Sequence, residues 1–193
     1  MNKVYAWYPR PTGLWSVDRT GQTHLERPGL NVGHASLDIS LNQGLGKAEY
    51  VSWWPSDGKP IIWSHGGFRP FFMDDCEAEG SKADPRFPDR TLDFGGLDED
   101  KMRAKWHEII ATTNYQMLYQ NCAATVADIL RAGGADLSAE VRYRMAQVIV
   151  WTPWDLYEVA QIILRLSSKI ERLRAQGWKR EDGTDTMLMH MPH

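Results

Sequence analysis

The sequence contains no hydrophobic run that approaches the roughly 20 apolar residues needed to cross a bilayer, so we expect no membrane span. It has little net charge, because 22 Lys and Arg against 25 Asp and Glu leave −3 at pH 7. That balance argues against a dedicated nucleic-acid binder. Only two cysteines are present, which excludes a disulfide-built scaffold and a metal site based on paired cysteines. Glycine-rich phosphate loops and the dinucleotide fingerprint are missing, and we predict no cofactor.

The composition is that of a folded globular chain. Hydrophobic residues make up 42% and charged residues 24% of the 193 positions. Nine tryptophans suggest a core built with large rings and a cleft with aromatic walls. We predict one domain over residues 1–176 and a flexible tail over 177–193, where the sequence becomes polar and then Met-rich.

Local patterns predict a mixed α+β fold. Alternating or β-rich segments predict strands at residues 4–8, 34–39, 48–54, 61–63 and 91–94, with a hairpin turn over 42–46. Residues 10–31 and 64–96 are rich in turn formers, and we predict long loops there. Helices are predicted from Asp98, from Cys122 after an Asn121 cap, and from Pro153 after a Thr152 cap.

Cys122 is the strongest candidate for chemistry. It is predicted to lie in the first turn of a helix, where unpaired backbone N–H groups favour the thiolate over the thiol. A thiolate is the form that attacks a carbonyl carbon. The alternative is a small buried cysteine without a catalytic role, which is what most lone cysteines are.

His34 is the predicted base, because it opens a strand directly after Gly33, where the backbone can approach closely. His65 is the main rival, since it also follows a short apolar run. A third group should orient the imidazole. Ser52 is the first choice on the predicted neighbouring strand, and the carboxylates Asp57 and Glu49 follow it in that order.

The oxyanion that forms during attack needs hydrogen-bond donors. The side-chain amide of Gln116 and the backbone N–H of Cys122 are the candidates, although an edge strand with no catalytic role would also explain Gln116. Cys76 lies within an acidic run over 74–79 that is predicted to be a solvated loop. Its carboxylate neighbours should raise the pKa of the Cys76 thiol and blunt its reactivity.

Three segments taken together resemble a known superfamily. They are NVGHASL at 31–37, YVSWWP at 50–55 and NCAATV at 121–126. Their order is similar to that of the circularly permuted papain-like cysteine hydrolases, which include NlpC-type peptidoglycan amidases, the lecithin retinol acyltransferase group and hydrolase domains of bacterial toxins and secreted effectors. The toxin and effector branch is the most similar, and the resemblance covers about residues 4–165.

The resemblance implies a nucleophile helix packed on an antiparallel sheet, with Cys122 as nucleophile and His34 as base. Relatives often orient the base with His, Asp, Glu, Asn or Gln, whereas Ser52 aligns here. This departure keeps His65 and Asp57 open as orienting residues. The implied reaction is hydrolysis of an amide through a thioester.

Peptidoglycan peptide bonds are the first predicted substrate. Deamidation or cleavage of a host protein, hydrolysis of a lipid ester, and an inactive binding module are the alternatives. The segment Met1 to Pro9 has no apolar core of a secretion signal. We therefore expect synthesis in a bacterial cytoplasm, export by a type VI-like machine, and action in the target-cell periplasm or, alternatively, in a host cytosol. Expected partners are an immunity protein and a component of the secretion machine.

Overall fold

The computed structural model describes residues 1–9, 33–40, 49–56 and 63–177, together with the two-residue strands at 16–17 and 23–24. The elements are β1 (Asn2–Trp7), β2 (Ser16–Val17), β3 (Thr23–His24), β4 (His34–Ile39), β5 (Glu49–Pro55), β6 (Trp63–Ser64), β7 (Gly66–Phe68), α1 (Phe72–Glu79), β8 (Arg90–Phe94), α2 (Glu99–Thr112), β9 (Tyr115–Gln116), α3 (Cys122–Ala132), α4 (Ala139–Ala146) and α5 (Pro153–Ala175). A short 3-10 helix at Ala135–Leu137 joins α3 to α4.

Five strands form one antiparallel sheet in the order β7-β5-β4-β1-β8. The register places Trp7 opposite His34 across β1 and β4, and Ser36 opposite Ser52 across β4 and β5. The predicted α+β class is therefore confirmed, as are the strands predicted at 34–39 and 91–94 to within one residue. The predicted turn at 42–46 and the predicted tail beyond residue 177 lie outside the described residues.

The two faces of the sheet carry different side chains, because successive residues of a strand point to opposite faces. One face presents aliphatic residues such as Val4, Leu37 and Val51 to a core shared with α2, α3 and α5. The opposite face presents aromatic and polar residues. There Tyr5, Trp7 and Tyr50 form a second buried cluster with Cys76 of α1.

Local capping explains where two of the helices begin. Asn121 Oδ1 accepts a hydrogen bond from the Ala124 N–H at the start of α3. Thr152 and Asp155 form a reciprocal capping box at the start of α5, and Pro153 occupies its first turn. The predicted N-caps of both helices are thus confirmed.

The prediction of an irregular loop across 64–96 is wrong for its central part, where α1 forms. Phe71 precedes α1 without a side-chain capping hydrogen bond, so the usual sequence signal for a helix start is missing. In the part of the chain that the structure describes, no helix is long and apolar enough to cross a membrane.

Candidate active site

Cys122 is the first residue of α3 and is buried, with 4% of its surface exposed. Asn121, directly before it, fixes the helix start in space. Its Nδ2 donates to the carbonyl oxygens of Met117 and Trp151, each at 2.9 Å, while its Oδ1 caps the helix. The thiol therefore lies at a rigid helix N-terminus, where the first backbone N–H groups have no partner within the helix.

His34 is the first residue of β4, and its imidazole lies near the Cys122 thiol. Gly33 before it has a φ of 75°, and a Cβ at that position would lie 2.2 Å from the Trp7 carbonyl oxygen. The predicted close backbone approach is thus confirmed. The imidazole is 2% exposed, stacks on the Trp54 ring with centroids 4.2 Å apart, and lies close enough to the Cys122 side chain for that group to raise its pKa.

Asp75 holds the other side of the imidazole. It is fully buried, and its Oδ2 lies 2.9 Å from His34 Nε2. Because Nε2 faces Asp75, Nδ1 is the nitrogen that remains for Cys122. Three further donors reach the carboxylate: Tyr50 OH at 2.6 Å, Ser52 Oγ at 2.7 Å and Trp54 Nε1 at 2.8 Å.

The charges around the Cys122, His34 and Asp75 side chains favour a protonated, positively charged imidazole. Burial alone would lower the pKa of His34, but the charge of Asp75 and the hydrogen-bonded Cys122 raise it to about 10. Burial alone would raise the pKa of Asp75, but the charge and hydrogen bond of His34 and the hydrogen bonds from Tyr50 and Ser52 hold it below its usual value. Asp75 is therefore ionised and His34 protonated near neutral pH.

The orienting residue differs from the sequence-based choice. Ser52 Oγ lies 3.4 Å from His34 Nε2, farther than the Asp75 oxygen, and donates to Asp75 instead. Glu49 lies away from His34 and pairs with the exposed His107, with Oε1 and Nε2 2.6 Å apart. Asp57 lies outside the described residues. The rival His65 is exposed, and the imidazole beside the thiol is that of His34.

Asp75 was missed because the acidic run over 74–79 was interpreted as a solvated loop, and that interpretation is wrong. Phe72, Asp75, Cys76 and Glu79 follow the i, i+3, i+4, i+7 spacing of one helix face. All four are buried or half-buried in α1. The spacing was therefore a usable signal, although two of its four members are carboxylates.

The second cysteine is placed for packing. Cys76 is fully buried against Tyr5, Trp7 and Tyr50. Burial and then the charge of Asp75 raise the pKa of its thiol, in the direction predicted. Within the described ranges, no group of three or more His, Cys, Asp or Glu side chains could hold a metal ion.

The predicted side-chain oxyanion donor lies on β9. Gln116 lies half-buried in β9 opposite Trp63, and its backbone N–H and carbonyl are hydrogen-bonded to Gln120. Its role as a donor stays a prediction. Tyr115, next to it, is buried, and the pKa of its phenol is raised first by burial and then by Cys122. A protonated phenol therefore lies within electrostatic reach of the thiol, which the sequence did not suggest.

Together, the fold and the site define an α+β protein with a buried thiol, imidazole and carboxylate in series. The IcsB middle domain family matches residues 63–183, and the chain belongs to that family. This match includes Asp75 and Cys122, whereas His34 lies before it.

Two toxins share part of the sequence. Over 74 residues, the chain is 36% identical to the multifunctional-autoprocessing repeats-in-toxin proteins of Vibrio cholerae serotype O1 and of Vibrio vulnificus. The matched segment is 37% of this chain but only 2% and 1% of the two toxins. No solved structure matches the chain. The chain is thus related to a segment of bacterial toxins, while the papain-like NlpC assignment stays a prediction.

Proposed function

We propose that this chain is a cysteine hydrolase that cleaves an amide through a thioester on Cys122. The observation that carries the proposal is the placement of His34 between the Asp75 carboxylate and the Cys122 thiol. A nucleophile, a base and a group that orients the base form the set that acyl transfer requires.

The proposed reaction has two halves. The Cys122 thiolate attacks the carbonyl carbon, and protonated His34 gives its Nδ1 proton to the departing amine as the C–N bond breaks. Neutral His34 then takes a proton from water, whose oxygen attacks the thioester carbon. The acid leaves and the thiolate–imidazolium pair is restored. Asp75 keeps the imidazole in place and stabilises its positive charge in both halves.

Oxyanion stabilisation is assigned to groups around the start of α3. The backbone N–H of Cys122 is the first donor, because the first turn of a helix has no internal partners for these groups. The Gln116 side chain is retained as the predicted second donor.

Kinship with toxin segments supports an effector that acts on another cell. Peptidoglycan peptide bonds are the first substrate to test, and a host protein amide is the second. A lipid ester is the third, since a thiolate also attacks esters.

Trapping the intermediate tests this proposal. Purified chain is incubated separately with peptidoglycan fragments, a protein substrate mixture and lipid esters, quenched with acid, and examined by intact mass. We expect an acyl adduct, removable by hydroxylamine, on the native chain and on Cys76→Ala. Cys122→Ala should carry none. An adduct on Cys76, or identical spectra for the native chain and Cys122→Ala with every substrate, would contradict the proposal and favour the inactive binding module.

A further inference from the structure

Three flat groups lie in layers beside the site. The Trp54 ring stacks on the His34 imidazole with an interplanar angle of 25° and centroids 4.2 Å apart. On Trp54, the Arg69 guanidinium carbon lies 4.6 Å from the ring centroid. Arg69 is held there by a 2.9 Å hydrogen bond from its NH1 to the Asp74 carbonyl oxygen. The indole is therefore fixed against the imidazole by a tethered cation.

The edge of the same indole reaches the carboxylate. Trp54 Nε1 lies 2.8 Å from both Ser52 Oγ and Asp75 Oδ1. Oδ1 is the oxygen that His34 does not use, since Nε2 faces Oδ2. One side chain thus covers the ring of His34 and also contacts the carboxylate that orients it.

We propose that Trp54, backed by Arg69, is a positioning residue whose ring face holds the His34 imidazole in the plane that joins Asp75 to Cys122. This rests on the proposed function, because the geometry matters only when His34 serves the thiol. The indole excludes water from the His34–Asp75 contact and attracts a positive imidazolium through its π face. It does not touch the reacting carbon in this role.

The charged and titratable groups around His34 are few within the described residues. They are Asp75 and Glu79 of α1, Cys122 of α3, Tyr50 of β5, and Arg69 behind the indole. Burial lowers the pKa of His34, and the anionic partners, whose attraction is stronger where water is excluded, raise it. Removing the ring admits water, weakens these contacts and frees the imidazole to rotate. The imidazole then no longer keeps one orientation between Asp75 and Cys122.

Two variants separate the ring face from its N–H group. Trp54→Leu removes both, whereas Trp54→Phe keeps a flat, smaller aromatic ring and loses the donor. The rate of Cys122 alkylation by iodoacetamide is measured at pH 6 and at pH 10, and the ratio of the two rates reports how strongly the imidazole activates the thiol, since the thiolate is the reactive form. For Trp54→Leu we expect the ratio of the two rates to fall about tenfold, the range of one buried cation–π contact. Trp54→Phe should retain the ratio within about twofold.

The matched control is Trp106→Phe, which shortens a buried indole on the opposite face of the sheet, packed edge-to-face on Trp53. It should lower stability and leave the ratio unchanged. A merely structural role for Trp54 predicts that Trp54→Leu behaves like this control. That result, or a Trp54→Phe ratio as low as that of Trp54→Leu, would overturn the proposal.

An NMR titration of His34 keeps this test separate from the proposed function. In Trp54→Leu the pKa of His34 should fall, because the loss of the ring face and the weaker contact with Asp75 outweigh the relief of burial, and an unchanged pKa would overturn the positioning role. Neither readout needs a substrate. A chain that behaves as expected here but never carries an acyl adduct contradicts the hydrolase proposal alone.

Discussion

Asp75 shows how one buried carboxylate can organise several neighbours. Its two oxygens receive hydrogen bonds from His34, Tyr50, Ser52 and Trp54, so its negative charge is fully solvated by protein groups. Without these partners a buried carboxylate would take up a proton. The charge of His34 therefore depends on Asp75. Because His34 lies beside the thiol, the reactivity of Cys122 depends on Asp75 as well.

Replacing Asp75 with Asn should remove the negative charge that acts on His34, with little change of side-chain volume. We expect the pKa of His34 to fall towards 6.5, and Cys122 alkylation at pH 6 to slow by about tenfold or more, since a close opposite charge shifts a pKa by 1–3 units. NMR titration and peptide mass spectrometry measure the two effects. Asp74→Asn is the matched control on the same helix. An Asp75→Asn chain with the native His34 titration would contradict the assigned role.

Cys122→Ala should abolish hydrolysis and leave the fold intact. The change removes one heavy atom at a capped helix start, so the free energy of unfolding should drop by only about 1 kcal/mol. Urea unfolding and substrate turnover are measured on the same preparation. Turnover that survives in this variant would show that Cys122 is not the nucleophile.

At the scale of elements, the site depends on where β4 begins. His34 is the first residue of that strand, and the strand pairs with β1 from Trp7 opposite His34. Gly33 allows the chain to enter this pairing with a positive φ and with its α-carbon close to the β1 backbone. The position of His34 is thus coupled to one backbone contact.

Gly33→Ala should therefore disturb both stability and the site. A Cβ there meets the Trp7 carbonyl oxygen at 2.2 Å, and the left-handed conformation costs a further 1–2 kcal/mol or so. We expect a loss of at least about 2 kcal/mol in the free energy of unfolding. Gly95→Ala is the control, because a Cβ at Gly95 has no atom within 4 Å among the described residues. Equal stability of the two variants would refute this account of Gly33.

At the scale of the whole molecule, the sheet has a different buried cluster on each of its two faces. Helices α2, α3 and α5 cover its aliphatic face, while α1 brings Asp75 and Cys76 to its aromatic face. Cys122 and His34 meet where α3 begins and β4 begins, so the site depends on both layers. Loss of α1 packing would leave the thiol and imidazole without their carboxylate.

The pH dependence of stability follows from the buried pair. Asp75 has a lowered pKa, so its contribution is present above about 3.8 and is lost as the pH falls below that value. His34 has a raised pKa, so its contribution is complete below 6.5 and is lost as the pH rises towards 10. The stability difference between the native chain and Asp75→Asn should be largest between about pH 4 and 6.5. Urea midpoints from pH 3 to 10 measure it, and a difference that is constant across this range would refute the linkage.

The site of action is tested by expression in a bacterium with and without an added export signal. If peptidoglycan is the substrate, cells should lyse or round only with the signal, because peptidoglycan lies outside the cytoplasm. Cys122→Ala should be harmless in both forms. Toxicity only without the signal would instead indicate a cytosolic target. No effect in either compartment, with clean expression, would contradict an antibacterial role.

Short sequence patterns by themselves determined where several helices and strands of this protein begin. Asn121 and Thr152 cap their helices through side chains three residues from their partners, and the alternating pattern of 34–39 is enough for a strand. For the same reason, the proposal of Cys122 as a helix-start thiol needed no tertiary information. The residues that produce these patterns lie within a few positions of one another in the sequence.

Tertiary structure alone decided the partners of His34. Asp75 is 41 positions away and lies on a helix with no side-chain N-cap, so its burial depends on Phe72 and Cys76 finding the aromatic face of the sheet. Ser52 was a reasonable choice from hairpin register, yet the side chain that docks from α1 takes the position beside Nε2. A charged residue in an acidic run resembles a solvated one until folding surrounds it with donors, because only the folded chain brings those donors together.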